Sequence, residues 1–106
     1  MFTGHENHEI SFATGAALTK RYRDNNPGSR KGGYFSKDAI LELLDQENCV
    51  GMRVYYANDE SGEMEMVLVG VASNENDLIG EGNLCMDMCM PCPDRCGESN
   101  LLNSDQ

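Results

Sequence analysis

The sequence contains no tryptophan, few aromatic residues of any kind, and only eight lysines and arginines against eighteen aspartates and glutamates. Each shortage excludes something. Without tryptophan the chain lacks the side chain that most often anchors a large interface, so the core rests on valine, leucine, isoleucine, methionine and a few tyrosines and phenylalanines. A formal net charge of −10 opposes nucleic acid, whose phosphates need clustered cations, and opposes adsorption to anionic membrane. No apolar run approaches the roughly 20 residues that cross a bilayer. The opening stretch MFTGHENHEISF has neither the basic nor the apolar region of a secretory leader, so the sequence-based expectation is a cytoplasmic protein with reduced thiols. No nucleophile, base and orienting acid stand in recognisable context, which leaves a hydrolase or transferase unsupported.

What cations there are stand together. KRYRDNNPGSRK holds Lys20, Arg21, Arg23, Arg30 and Lys31, whereas beyond Asn58 the only basic residue is Arg95. The cluster reads as a solvated helix face and loop, with a charge match to the acidic C-terminal half, in the same chain or across a dimer, as the alternative. A phosphate-binding loop is disfavoured, because the glycines around Ser29 to Lys31 lack the GxxxxGK[ST] spacing and no strand precedes them.

At 106 residues the chain fits a single domain, with residues 1–9 as a flexible lead-in, 10–80 as the core and 81–106 as a Cys-rich tail. Ser11 is placed to cap a helix over FATGAALTKRYRDN, whose last turn gathers cations where the helix dipole favours them. Pro27 and the glycines at 28, 32 and 33 break it into a loop. Ser36 caps a second helix, KDAILELLDQEN, with an apolar face of Ile40, Leu41, Leu43 and Leu44. Residues 50–57 alternate with period two and 64–72 are nearly all apolar, so with NDESGE between them they predict a hairpin. Residues 77–80 offer a short third strand. Beyond Gly80 the hydrophobic period disappears.

That last segment carries CMDMCMPCPDRC at residues 85–96, four cysteines and three methionines in one run. Cys85, Cys89, Cys92 and Cys96 follow C-x3-C-x2-C-x3-C, a spacing that lets a tight loop gather four thiolates around one ion. Zinc takes such a set tetrahedrally and would order a coreless tail, with His5 and His8 as weaker candidate ligands. An iron-sulfur cluster is disfavoured by the surrounding length and by the first spacing. Interleaved methionines raise Cu(I). Cys89-Met90-Pro91-Cys92 has the form of a thiol-disulfide site, although no long helix follows to activate its first thiol. The remaining alternative is thiols that stay reduced or pair as disulfides. Cys49, at a helix-to-strand junction, reads as a small buried residue.

The phrases HEISF, TKRYRDNNP, VGMRVYYA, MVLVGV and CPDRCGESNLLNS resemble a family of small uncharacterised bacterial proteins of about this length. The resemblance implies a stand-alone cytoplasmic domain with a Cys-Pro-x2-Cys tail, here Cys92 and Cys96, and brings no activity with it. The expected fold is α+β, with two N-terminal helices packed on a small antiparallel hairpin and an irregular Cys-rich C-terminal tail. The expected role is a non-enzymatic interaction or metal-binding module with a protein partner or a second copy, zinc being the metal if there is one. A thiol-disulfide protein using Cys89 and Cys92 is the alternative.

Overall fold

The structure is a computed structural model that describes residues 1–105. Local signals place the elements. Ser11 holds an extended conformation and its hydroxyl accepts from the Thr14 amide at 3.0 Å, opening helix α1 at Phe12–Asn25. Its end is closed by Asn26, whose side chain donates to the Tyr22 carbonyl at 3.0 Å, one residue before Pro27 forbids another turn. Ser36 repeats the device by accepting from the Ala39 amide at 3.1 Å, and helix α2 runs over Lys37–Leu44. Each cap satisfies an amide that a helix start otherwise leaves unpaired.

Between the helices lies a short strand, β1 (Gly32–Tyr34). Strands β2 (Gly51–Asn58) and β3 (Met64–Val71) follow as a hairpin, then β4 (Cys85–Met86) and β5 (Met90–Cys92). The hairpin pairs every residue from Gly51 opposite Val71 to Asn58 opposite Met64. Its turn is organised by Asp59, whose carboxylate accepts from the amides of Ser61 and Glu63, both at 2.9 Å. Gly62 there adopts a φ of +90°, a region that costs glycine nothing.

The chain divides into two compact units. The first comprises Met1–Asn7 and Phe35–Cys89. It holds the three-stranded antiparallel sheet β2-β3-β4, with α2 packed on β2 and β3. Among the described residues all four buried large apolar side chains lie in it: Leu43 from α2 and Leu68, Val69 and Val71 from β3. Residues 1–7 are attached to it, the Phe2 amide donating to the Ser73 carbonyl at 2.9 Å. Gln46, just past α2, ties helix to sheet: its side-chain Nε2 donates to the Leu43 carbonyl at 2.8 Å and its side-chain oxygen accepts from the Leu84 amide at 2.7 Å, directly ahead of β4. Gly70 leaves room for this clamp, since a Cβ there would stand 2.8 Å from the Gln46 nitrogen and 3.0 Å from the Cys49 sulfur.

The second unit runs over His8–Tyr34 and from Met90 onward. It contains α1 and the two-stranded sheet in which Gly32, Gly33 and Tyr34 lie opposite Cys92, Pro91 and Met90. None of its described residues is buried.

The α+β class holds, but the expected arrangement of two N-terminal helices on one hairpin is overturned. Helix α2 packs on the hairpin, whereas α1 falls with β1 and β5 in the second unit. The physical reason is composition. The stripe on α1 is built largely from alanines, and its leucine, Leu18, is half exposed, so it has little apolar area to bury. The tail is likewise not wholly irregular, since β4 joins the main sheet and β5 pairs with β1. Gly-Gly and Met-Pro-Cys carry no alternating pattern, and only the partner backbone makes them strands. Residues 77–80 form no strand; Asp77 makes a single bridge to Val71.

Candidate functional site

The cysteine run is split by the fold. Cys92 and Cys96 are joined by a disulfide in the second unit. Cys85 and Cys89 belong to the first unit and, with Cys49, take no part in a disulfide. Cys85 is exposed on β4, and Cys89 is half covered. His5 and His8 are exposed in the opening stretch. Among the described residues no group of three or more histidines, cysteines, aspartates or glutamates is arranged to hold a metal ion. Cys49 is half covered, donates to the Gly51 carbonyl at 3.0 Å and packs beside Gly70, a structural placement.

The disulfide closes a five-residue loop, Cys92 to Cys96. Pro93, Asp94 and Arg95 in it are exposed while both cysteines are half covered. The loop is held from both ends: the Lys31 amide donates to the Cys92 carbonyl, and the Arg95 amide donates back to the Pro91 carbonyl at 2.8 Å. Beyond Cys96 the chain is fastened to the basic cluster. The Arg23 guanidinium donates to the Leu102 carbonyl at 2.8 Å and to the Asp105 carboxylate at 2.6 Å, with only 13% of its side chain exposed. Lys31 donates to the Asn103 carbonyl at 2.7 Å, and Lys20 bridges Asp24 at 3.0 Å and Asp105 at 3.8 Å. Leu102 lies against Gly15 of α1. Within this unit Lys20, Arg23 and Lys31 therefore bind the chain's own C-terminal segment.

The Arg23 hydrogen bond, with help from Lys20, holds the Asp105 carboxyl below the usual aspartate range. A depressed carboxyl contributes stability above its unfolded pKa, and that contribution disappears as pH falls through the folded value. Acidification through and below the ordinary aspartate range is thus expected to loosen residues 102–105 from α1, with a small effect because the pair faces solvent. Amide exchange at Asn103 and Ser104, followed against pH in the native protein and in Asp105→Asn, checks this. The variant should show the loosened state at neutral pH and lose the pH dependence; unchanged protection in the variant would mean that the contact does not hold the segment.

In the first unit a second cluster appears on one face of the sheet. Arg53 and Tyr55 stand two apart on β2 and both reach Asp77, the guanidinium forming an ion pair with one carboxylate oxygen and the phenol donating to the other. Arg53 also donates to the Glu75 carbonyl at 3.3 and 3.4 Å. The bond to Asp77 raises the pKa of both Arg53 and Tyr55, so the phenol stays protonated and the carboxylate is committed at both oxygens. Next to it is an apolar cleft of about 270 Å³, lined by Val67, Val69, Leu78, Leu84 and Cys85 beside Tyr55 and Asp77. Nothing in the cluster is an unengaged base, so it works as a latch that fastens the 72–77 turn to β2.

Sequence reasoning missed this latch, since its partners are 22 and 24 residues apart. A signal did exist: an arginine and a tyrosine at i and i+2 in an otherwise apolar strand share a face, and an arginine laid over a sheet requires an acceptor.

No protein-family model matches the chain, and neither any curated protein nor any solved structure is significantly similar to it.

Proposed function

We propose that this chain is a non-enzymatic interaction module whose second unit is fastened or released by the redox state of Cys92 and Cys96. The observation that carries this reading is a half-covered disulfide in a unit none of whose described residues is buried. There the bond substitutes for a core, so its loss changes structure and not merely thiol chemistry. For the cytoplasmic setting expected from the sequence, a disulfide of this kind is transient and regulatory. The commitment of Asp77 and Tyr55 to the latch supports a binding role over catalysis.

Chemically, an external dithiol attacks one sulfur of the pair and the displaced cysteine leaves as a thiolate that takes up a proton. The second external thiol then resolves the mixed disulfide, so the pair gains two electrons and two protons and the reductant becomes a disulfide. The pairing of Cys92 with Cys96 also bears on metal. Zinc held by these thiolates requires the bond to be reduced first, because a disulfide offers no thiolate.

The test is equilibration in glutathione or dithiothreitol buffers poised between about −180 and −300 mV, followed by thiol capping and peptide mapping. The expected result is one two-electron transition in that window, with Cys92 and Cys96 as the exchanging pair. Persistence of five capped thiols at every potential, or pairing through Cys85 or Cys89 instead, would overturn the reading. Elemental analysis of the reduced sample decides the metal question: one equivalent of zinc, lost on Cys92→Ser, makes the reduced state a metal form, and none leaves it a thiol form.

A further inference from the structure

The β2 strand is a free sheet edge. The sheet order is β2-β3-β4, so β2 has a partner on one side only. Such an edge presents unpaired amides and carbonyls and invites another strand unless it is blunted by lysine, proline, a bulge or brevity. This one has none of those devices. It is eight residues long, its register with β3 runs without a slip, and GMRVYYAN contains neither lysine, proline nor an acid. The one charge, Arg53, is turned across the sheet to Asp77.

The side chains along it are apolar or aromatic and unusually open: Met52 is 41% exposed, Val54 40%, Tyr55 46% and Tyr56 84%. On pairing, a second strand covers the backbone edge and the adjoining part of these side chains. The occupant follows from charge and symmetry. In a chain of net charge −10, two copies repel over most of their surface, and this neutral strip is where they meet without that cost. An antiparallel strand is also its own complement under a two-fold axis.

We infer that the chain forms a homodimer by antiparallel pairing of β2 with β2 of a second copy, joining two three-stranded sheets into one of six strands. With the two-fold at Val54, Met52 lies opposite the partner's Tyr56, a sulfur-aromatic pair that occurs twice, while Arg53 and Tyr55 keep their bonds to Asp77. Residues of equal parity face the same side, so both copies of α2 cover one face of the joined sheet.

Analytical ultracentrifugation of the full chain, with thiols capped so that no mixed disulfide imitates association, tests the inference. The expected mass is twice 11.7 kDa for the native protein and 11.7 kDa for both Val54→Lys and Tyr56→Asp. The circular dichroism of the variants should be unchanged. Tyr56 is so exposed in the single chain that Tyr56→Asp leaves folding intact even if Val54→Lys does not. A native protein that stays monomeric up to its solubility limit, including one that instead takes up an unrelated strand peptide, overturns the inference, as does a dimer that survives Tyr56→Asp.

Discussion

Reducing the Cys92–Cys96 disulfide, or replacing both cysteines by serine, is expected to free the β1-β5 sheet and the C-terminal segment while the β2-β3-β4 sheet stays folded. None of the described residues of the second unit is buried, so the hydrophobic term that stabilises most domains is small there. What remains is a three-residue strand pair, the Arg23 and Lys31 contacts to the C-terminal segment, and the disulfide. Surface ion pairs contribute at most about 1 kcal/mol each. Closing a loop as short as 92–96 is worth about 2 kcal/mol by chain entropy, comparable to everything else holding that sheet. Hydrogen exchange separates the outcomes. The Lys31 amide, which donates to Cys92, should lose protection on reduction, while the Val50 and Leu78 amides, bonded to the Val71 and Gly70 carbonyls, should keep theirs. Equal protection in both redox states would show that the unit stands without its disulfide and would remove the structural basis of the proposed switch.

Replacing Leu43 by alanine should have the largest effect of any single substitution, a loss of about 3 kcal/mol and within the 2 to 5 kcal/mol range of fully buried leucines. Leu43 is completely buried, and only three other apolar side chains share that core. Neighbouring atoms cannot collapse easily into the gap, because Gln46, just past the same helix, is pinned to both Leu43 and Leu84. Leu41→Ala is the matched control: the same change two residues away on the same helix, where half the side chain already meets water, should cost less than about 1 kcal/mol. Urea unfolding followed by tyrosine fluorescence measures both. Equal midpoints for the two variants would mean that the core is not centred on Leu43.

That pair of leucines shows how much of the fold was legible. Ile40, Leu41, Leu43 and Leu44 are equivalent to a periodicity argument, and helix α2 follows from them and from the Ser36 cap. Which leucine is buried depends on the angle at which the helix meets β3. The hairpin shows the same division. Alternation and the Asp59 to Glu63 turn place β2 and β3, yet Met52, Val54 and Tyr56 are exposed although Val54 stands opposite the buried Leu68, because they lie on the edge strand. For the candidate site, spacing marked Cys85, Cys89, Cys92 and Cys96 as one group, whereas the fold assigns them two and two to separate units.

By itself the sequence determined the features that act over a few residues: the Ser11 and Ser36 caps, the stop at Pro27, the hairpin turn with its left-handed glycine, and the excess of negative charge. These need only the geometry of neighbouring backbone groups. Tertiary structure alone decided that Gly32 to Tyr34 pairs with Met90 to Cys92, that Arg53 and Tyr55 meet Asp77, that Arg23 holds Asp105, and that Cys96 is the partner of Cys92. Apart from that last short loop, these contacts join residues far apart in sequence. They are made by backbone groups that look alike everywhere or by single charges with many available partners, so no local pattern could have singled them out.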